Sequence, residues 1–111
     1  MIRDQLFLLP PWFADRGERQ YCPECAEIWG VLAYYPAIRE TLEITYETVD
    51  HPRNGLVAIL GEGRWNCPTL VLSPSSQDGP GVKATNGRRY IDNARDMGRY
   101  WAELYGTAVP R

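Results

Sequence analysis

The chain has 111 residues, enough for one domain with one core and too few for two. A hydrophobic fraction of 44%, a charged fraction of 23% and a net charge of −2 are ordinary for a globular protein, and they supply no basic face for nucleic acid. No apolar run approaches the roughly 20 residues of a membrane span. The opening Met1-Ile2-Arg3-Asp4-Gln5 does not read as a secretory signal. The expectation is one domain over residues 1–111, in the cytoplasm, with no nucleic-acid or membrane partner. Three cysteines, an odd number, make no disulfide framework, and in that compartment a Cys pair is more often catalytic or metal-binding than structural.

In chain order, Leu6-Phe7-Leu8-Leu9 is a continuous apolar run ended by Pro10-Pro11, as in a strand over residues 5–9 buried on both faces. Residues 10–21 read as a loop carrying Trp12, Phe13, Arg16 and Arg19, its aromatics folded back on the core. A helix is expected over 22–35. Its positions Ile28, Val31, Leu32 and Tyr35 have helical spacing, and the opposite side (Ala26, Trp29, Gly30, Ala33) is also apolar, which predicts a helix buried all round. Pro36 ends it or starts a short second turn. Residues 42–47 alternate with period two, as a half-buried strand does. After the turn Asp50-His51-Pro52-Arg53-Asn54 comes a short helix over 54–60 capped by Gly61. Cys67-Pro68-Thr69-Leu70-Val71-Leu72 is a strand with proline at its entrance, a position it tolerates. Residues 73–86 are rich in Ser, Pro and Gly and read as a mobile loop. Residues 87–91 read as a short edge strand. Asp92 caps a last helix whose apolar face is Ala94, Met97, Gly98, Trp101, Leu104 and Tyr105, and Gly106 stops it.

The chemistry concentrates in Tyr21-Cys22-Pro23-Glu24-Cys25-Ala26. Cys22 falls at the start of a helix, where unpaired N–H groups and a partial positive charge stabilise a thiolate. Pro23 suits the first turn because its missing N–H would be unpaired anyway. Cys25 lies one turn on, within reach of a disulfide, and this spacing beside a βαβ pattern reads as a redox dithiol. Cys67 brings a third sulfur.

The order β-α-β-α-β-β-α, with Cys22-Pro23-Glu24-Cys25 opening the first helix, Cys67-Pro68-Thr69-Leu70 opening the third strand and a Gly87…Asp92 turn into the last helix, resembles the thioredoxin-like fold and its glutaredoxin branch. More narrowly, Phe13-Ala14-Asp15, Tyr21–Ala26, Ile59-Leu60-Gly61-Glu62 and Cys67–Leu72 are similar to an uncharacterised bacterial thioredoxin-like family of unknown function. The resemblance implies an α/β domain with a mixed four-stranded sheet and helices on both faces. It implies a thiol–disulfide oxidoreductase with Cys22 as nucleophile and Cys25 as resolving thiol, and it implies no bound cofactor. Pro68 would be a cis-proline facing the dithiol, leaving the Cys67 backbone to pair with an extended substrate. Tyr21 would flank that substrate. Asp92, at the start of the last helix, would help hold the carboxylate of glutathione as cosubstrate. The implied partner is thus a thiol or disulfide substrate.

Glu24 stands where glutaredoxins usually carry an aromatic, and Cys67 is unusual before the proline. These two residues motivate an alternative, a noncatalytic thioredoxin-fold module that holds a partner in the same cleft or on Trp12 and Phe13. Less favoured is a metal site of Cys22, Cys25 and Cys67 with His51 or water, and no metal residue is assigned. The simpler roles are a buried apolar group for Cys67, a surface turn for His51 and a helix cap for Asp92. The sequence leaves the oligomeric state open.

Overall fold

The computed structural model describes residues 2–111. The strands are β1 (Asp4–Leu8), β2 (Phe13–Asp15), β3 (Glu18–Gln20), β4 (Leu42–Tyr46), β5 (Thr69–Val71), β6 (Lys83–Thr85) and β7 (Arg88–Ile91). The helices are α1 (Pro23–Tyr34), α2 (Pro36–Arg39), α3 (Asn54–Leu60) and α4 (Ala94–Tyr105).

One mixed sheet of five strands has the order β4-β1-β5-β7-β6, and β2 and β3 form a separate hairpin. β1 runs parallel to β4 in the register Leu6↔Ile44 and antiparallel to β5 in the register Leu6↔Leu70. β7 pairs antiparallel with both β5 and β6. Consecutive residues are buried along β1 (Leu6, Phe7, Leu8) and along β5 (Thr69, Leu70, Val71), so both faces of the sheet centre are covered. α1 and α4 pack against each other. α3 buries Leu56 and Leu60 in the core. Trp101, Tyr100, Met97, Ile28 and Leu32 fill the space under α1 and α4.

The sheet thus has five strands and not four. The additional strand, β6, lies inside the stretch expected to be a mobile loop, and it makes β7 an interior strand where an edge was expected. The β6–β7 turn is Asn86-Gly87, both at positive φ (50° and 71°), the two-residue geometry that suits the twist of a hairpin. Arg16-Gly17, at φ 52° and 75°, makes the same kind of turn between β2 and β3, where a loop was expected. Residues 73–77 are pinned as well. Ser73 N–H donates to Asp4 Oδ1 at 2.8 Å, Arg89 Nη2 donates to the Ser73 and Ser76 carbonyls at 2.9 and 2.8 Å, and Tyr100 Oη donates to the Gln77 carbonyl at 2.7 Å.

α1 is not buried all round. Cys25, Ile28 and Leu32 point inward, while Ala26, Gly30, Ala33 and Tyr34 are exposed. The cap of α4 is Asn93 and not Asp92: its side-chain oxygen accepts the Asp96 N–H at 2.9 Å. Gly106, left-handed at φ 72°, ends α4, and Gly61 ends α3. Among the described residues no helix is long and apolar enough to cross a membrane.

Candidate functional site

Cys22 is the N-cap of α1, with Pro23 inside the first turn. Ser, Thr, Asp and Asn usually supply the capping atom. Here the acceptor is a sulfur: Cys22 Sγ takes the Cys25 N–H at 3.2 Å. The Cys22 sulfur is therefore held on the positive end of the helix by the bond that starts the helix. Cys22 is half-buried, and its thiol faces the Cys67 carbonyl oxygen at 3.9 Å.

Cys25 is buried, 3% exposed, and its sulfur accepts the Leu9 N–H at 3.4 Å just beyond β1. Burial pushes its thiol far above the ordinary 9.0. A hydrogen bond with Cys22 adds to this, and the Leu9 N–H opposes it. The two cysteines therefore differ: one is half-exposed on the helix end, and the other is buried.

Cys67 is also buried, and the Cys67–Pro68 peptide bond is cis. Burial pushes its thiol up to about 11, Glu47 and Cys22 add to the rise, and the Arg53 guanidinium opposes it. Among the described residues no three His, Cys, Asp or Glu side chains come together to hold a metal ion. His51 instead stacks on Trp65 with ring centroids 4.9 Å apart.

Tyr21, 62% exposed, stands beside Cys22. Asp92 is drawn away to Lys83, at 3.0 Å, and its carbonyl accepts from Asn66 Nδ2. The first N–H of α4, that of Ala94, is taken by Glu24 Oε1 at 3.2 Å. Glu24, which stands where glutaredoxins usually carry an aromatic, is thus turned onto a second helix N-terminus. Carboxylates are stabilising there.

Two further residues shape the site without a motif to announce them. Arg53 is buried, 8% exposed, and donates to the carbonyls of Thr48 (2.8 Å), Val49 (3.1 Å) and Trp65 (3.0 Å). It ties the β4–α3 connection to the segment that enters Cys67. Glu47 Oε2 accepts the Leu56 N–H at 3.1 Å and serves the start of α3, whose own cap residue has no acceptor to offer. Only a bond to the backbone twelve residues away reveals Arg53 as more than a turn residue.

A cavity of about 240 Å³ opens beside the dithiol, lined by both cysteines together with Leu9, Pro10, Pro11, Tyr21, Ala26 and Trp29. A second, polar cavity of about 370 Å³ lies between the α3–β5 connection and the β6–β7 hairpin, and includes Arg64, Asn66, Thr69, Lys83 and Asp92.

No curated protein and no solved structure matches the chain. One family model does, described as "Protein of unknown function (DUF3088)", and it spans residues 3–109. With nearly its whole length matched, dithiol and Cys67-Pro68 strand included, the chain belongs to the DUF3088 family.

Proposed function

We propose that this chain is a thioredoxin-like protein of the glutaredoxin kind that carries out thiol–disulfide exchange with Cys22 and Cys25. The strand order β4-β1-β5-β7, with β1 and β4 parallel and the rest antiparallel, supports that fold, with β6 and the β2–β3 hairpin as additions. The observation that carries the chemistry is the asymmetry of the pair. Cys22 Sγ sits half-exposed on the N–H of Cys25, while the Cys25 sulfur is buried one turn below.

The step runs as follows. Cys22, as thiolate, attacks one sulfur of a substrate disulfide R–S–S–R′. The bond Cys22–S–S–R forms, the substrate S–S bond breaks, and R′S⁻ leaves and takes up a proton. Cys25 then gives up its proton and attacks the Cys22 sulfur, forming the Cys22–Cys25 disulfide and releasing RSH. The substrate gains two electrons and the protein dithiol loses two. A low-molecular-weight thiol in excess, glutathione being the implied one, returns the protein to the dithiol form. Cys67, buried, takes no part in the exchange.

The test is reduction of a small mixed disulfide by the reduced protein and by Cys22→Ser. Loss of all exchange in the variant is expected. Equal rates would remove Cys22 as nucleophile and leave a noncatalytic binding module as the better account.

A further inference from the structure

The cavity beside the dithiol carries information about substrate. It is lined by both cysteines, and the remaining residues are Leu9, Pro10, Pro11, Tyr21, Ala26 and Trp29. None of these is charged. Two nearby cations are engaged with aromatic faces: Arg39 lies over the Trp29 ring at 5.1 Å, and Arg19 over the Trp12 ring at 4.7 Å. A volume of about 240 Å³ admits one aromatic or branched aliphatic group. The lining does not stop at the cavity mouth. Tyr21, itself a lining residue, is 62% exposed, and Trp12, next after Pro11 in the chain, is 55% exposed, so exposed aromatic surface extends beyond the cavity lining. A ligand that stays inside the cavity would leave that surface unused, whereas an extended chain would run along it. Between the two cysteines in the chain, Glu24 presents a carboxylate bound to the Ala94 N–H, which disfavours an anionic group beside it.

We infer that the cavity receives an apolar side chain flanking the reacting cysteine of an extended polypeptide. The protein would then prefer peptide disulfides with an aromatic or branched neighbour over polar or acidic ones. This rests on the dithiol reading above. Burial of the flanking side chain holds the attacked sulfur over Cys22 before any bond changes, so it acts on the first exchange step. In that step Cys22 bonds to the peptide sulfur, the old S–S bond breaks, and the other thiolate leaves.

Two short peptides that differ only in the residue beside their single cysteine, Phe or Gly, are each joined by a disulfide to thionitrobenzoate. Release of coloured thionitrobenzoate by the reduced full-length protein is followed. The expected result is about tenfold faster release from the Phe peptide, the scale of discrimination that a small apolar pocket provides. Ala26→Asp should bring the two rates to within about twofold, because a carboxylate then stands in the pocket. Taking the ratio cancels any effect of that carboxylate on the sulfur itself. Ala26 is exposed, so the variant keeps its core. Equal rates with the unaltered protein, or a preference that survives Ala26→Asp, would overturn the inference while exchange itself stands. No release above that of Cys22→Ser from either peptide would overturn the dithiol reading and the inference together.

Discussion

Glu24 Oε1 accepts the backbone N–H of Ala94 at 3.2 Å, across 70 residues of sequence. The bond ties the turn between the two cysteines to the start of α4. It gives one of the orphan donors of that helix a charged acceptor, while Asn93 serves Asp96. Glu24→Ala removes the acceptor and is expected to lower stability by about 0.5–1 kcal/mol, the usual worth of an exposed cap contact. Glu24→Gln keeps an oxygen in place and should lose about half as much. Urea denaturation of the three proteins checks both values.

Arg53 should prove among the most sensitive polar positions. Its guanidinium satisfies three carbonyls at once in a buried position, a pattern that an ammonium group cannot reproduce. Arg53→Lys is expected to destabilise by about 2 kcal/mol, and Arg53→Met by about 3 kcal/mol or more, since buried acceptors are then left unpaired. The midpoint in urea measures each. A loss under about 0.5 kcal/mol for Arg53→Met would mean that water reaches those carbonyls.

Cys67 makes a pH prediction. Its thiol is raised from 9.0 to about 11 in the folded chain, chiefly by burial. Above pH 9 the unfolded chain releases this proton while the folded chain keeps it, so stability falls as pH rises from about 9 through about 11. The full decline from this one group is about 2–3 kcal/mol. Cys25, raised for the same reason, adds a further loss in the same direction. Cys67→Ala should therefore be less stable near neutrality, yet decline less steeply than the unaltered chain. Denaturation with a thiol-free reductant at a series of alkaline pH values gives the slope.

The order of attack can be caught chemically. On the proposed exchange, Cys25→Ser keeps the half-exposed Cys22 and removes the buried second thiol. With a substrate disulfide it should stop at the mixed disulfide on Cys22, seen by intact mass as one substrate thiol per chain. Cys22→Ser should form almost none, because burial and the raised thiol keep Cys25 out of reach.

Gly98 sits in the middle of α4, where alanine would ordinarily gain about 1 kcal/mol of helix propensity. A Cβ there would lie 2.6 Å from Pro110 Cγ, so the chain end must move. Gly98→Ala is expected to show no net gain and to free residues 107–111. Faster cleavage of that segment by a carboxypeptidase is the readout.

Several of these features were legible in the amino-acid string because they are short-range. The continuous apolar run of β1, the Cys22-Pro23 helix start, the glycine stops at Gly61 and Gly106 and the apolar face of α4, apart from Tyr105, which is exposed, and Tyr100, which is buried, each depend on residues within a turn or two. The two hairpins were missed although their turns, Arg16-Gly17 and Asn86-Gly87, are suited to positive φ. Their strands are short and mostly exposed, so they lack the apolar alternation by which a strand is recognised. The same blindness put the edge at β7: polar Lys83-Ala84-Thr85 pairs through its backbone, and backbone pairing leaves no signature in side-chain type.

What the tertiary structure alone decided is who meets whom. Residue type marks Glu24 as a carboxylate near a thiol, and only the packing of α1 on α4 brings Ala94 within its reach. Residue type marks Arg53 as a turn cation, and only the return of Trp65 past the β4–α3 connection makes it a buried clamp. Caps and periodicities are properties of a few consecutive residues, so the chain declares them locally. Partners twelve or seventy residues apart depend on helix packing and strand register, which exist only once the core has closed.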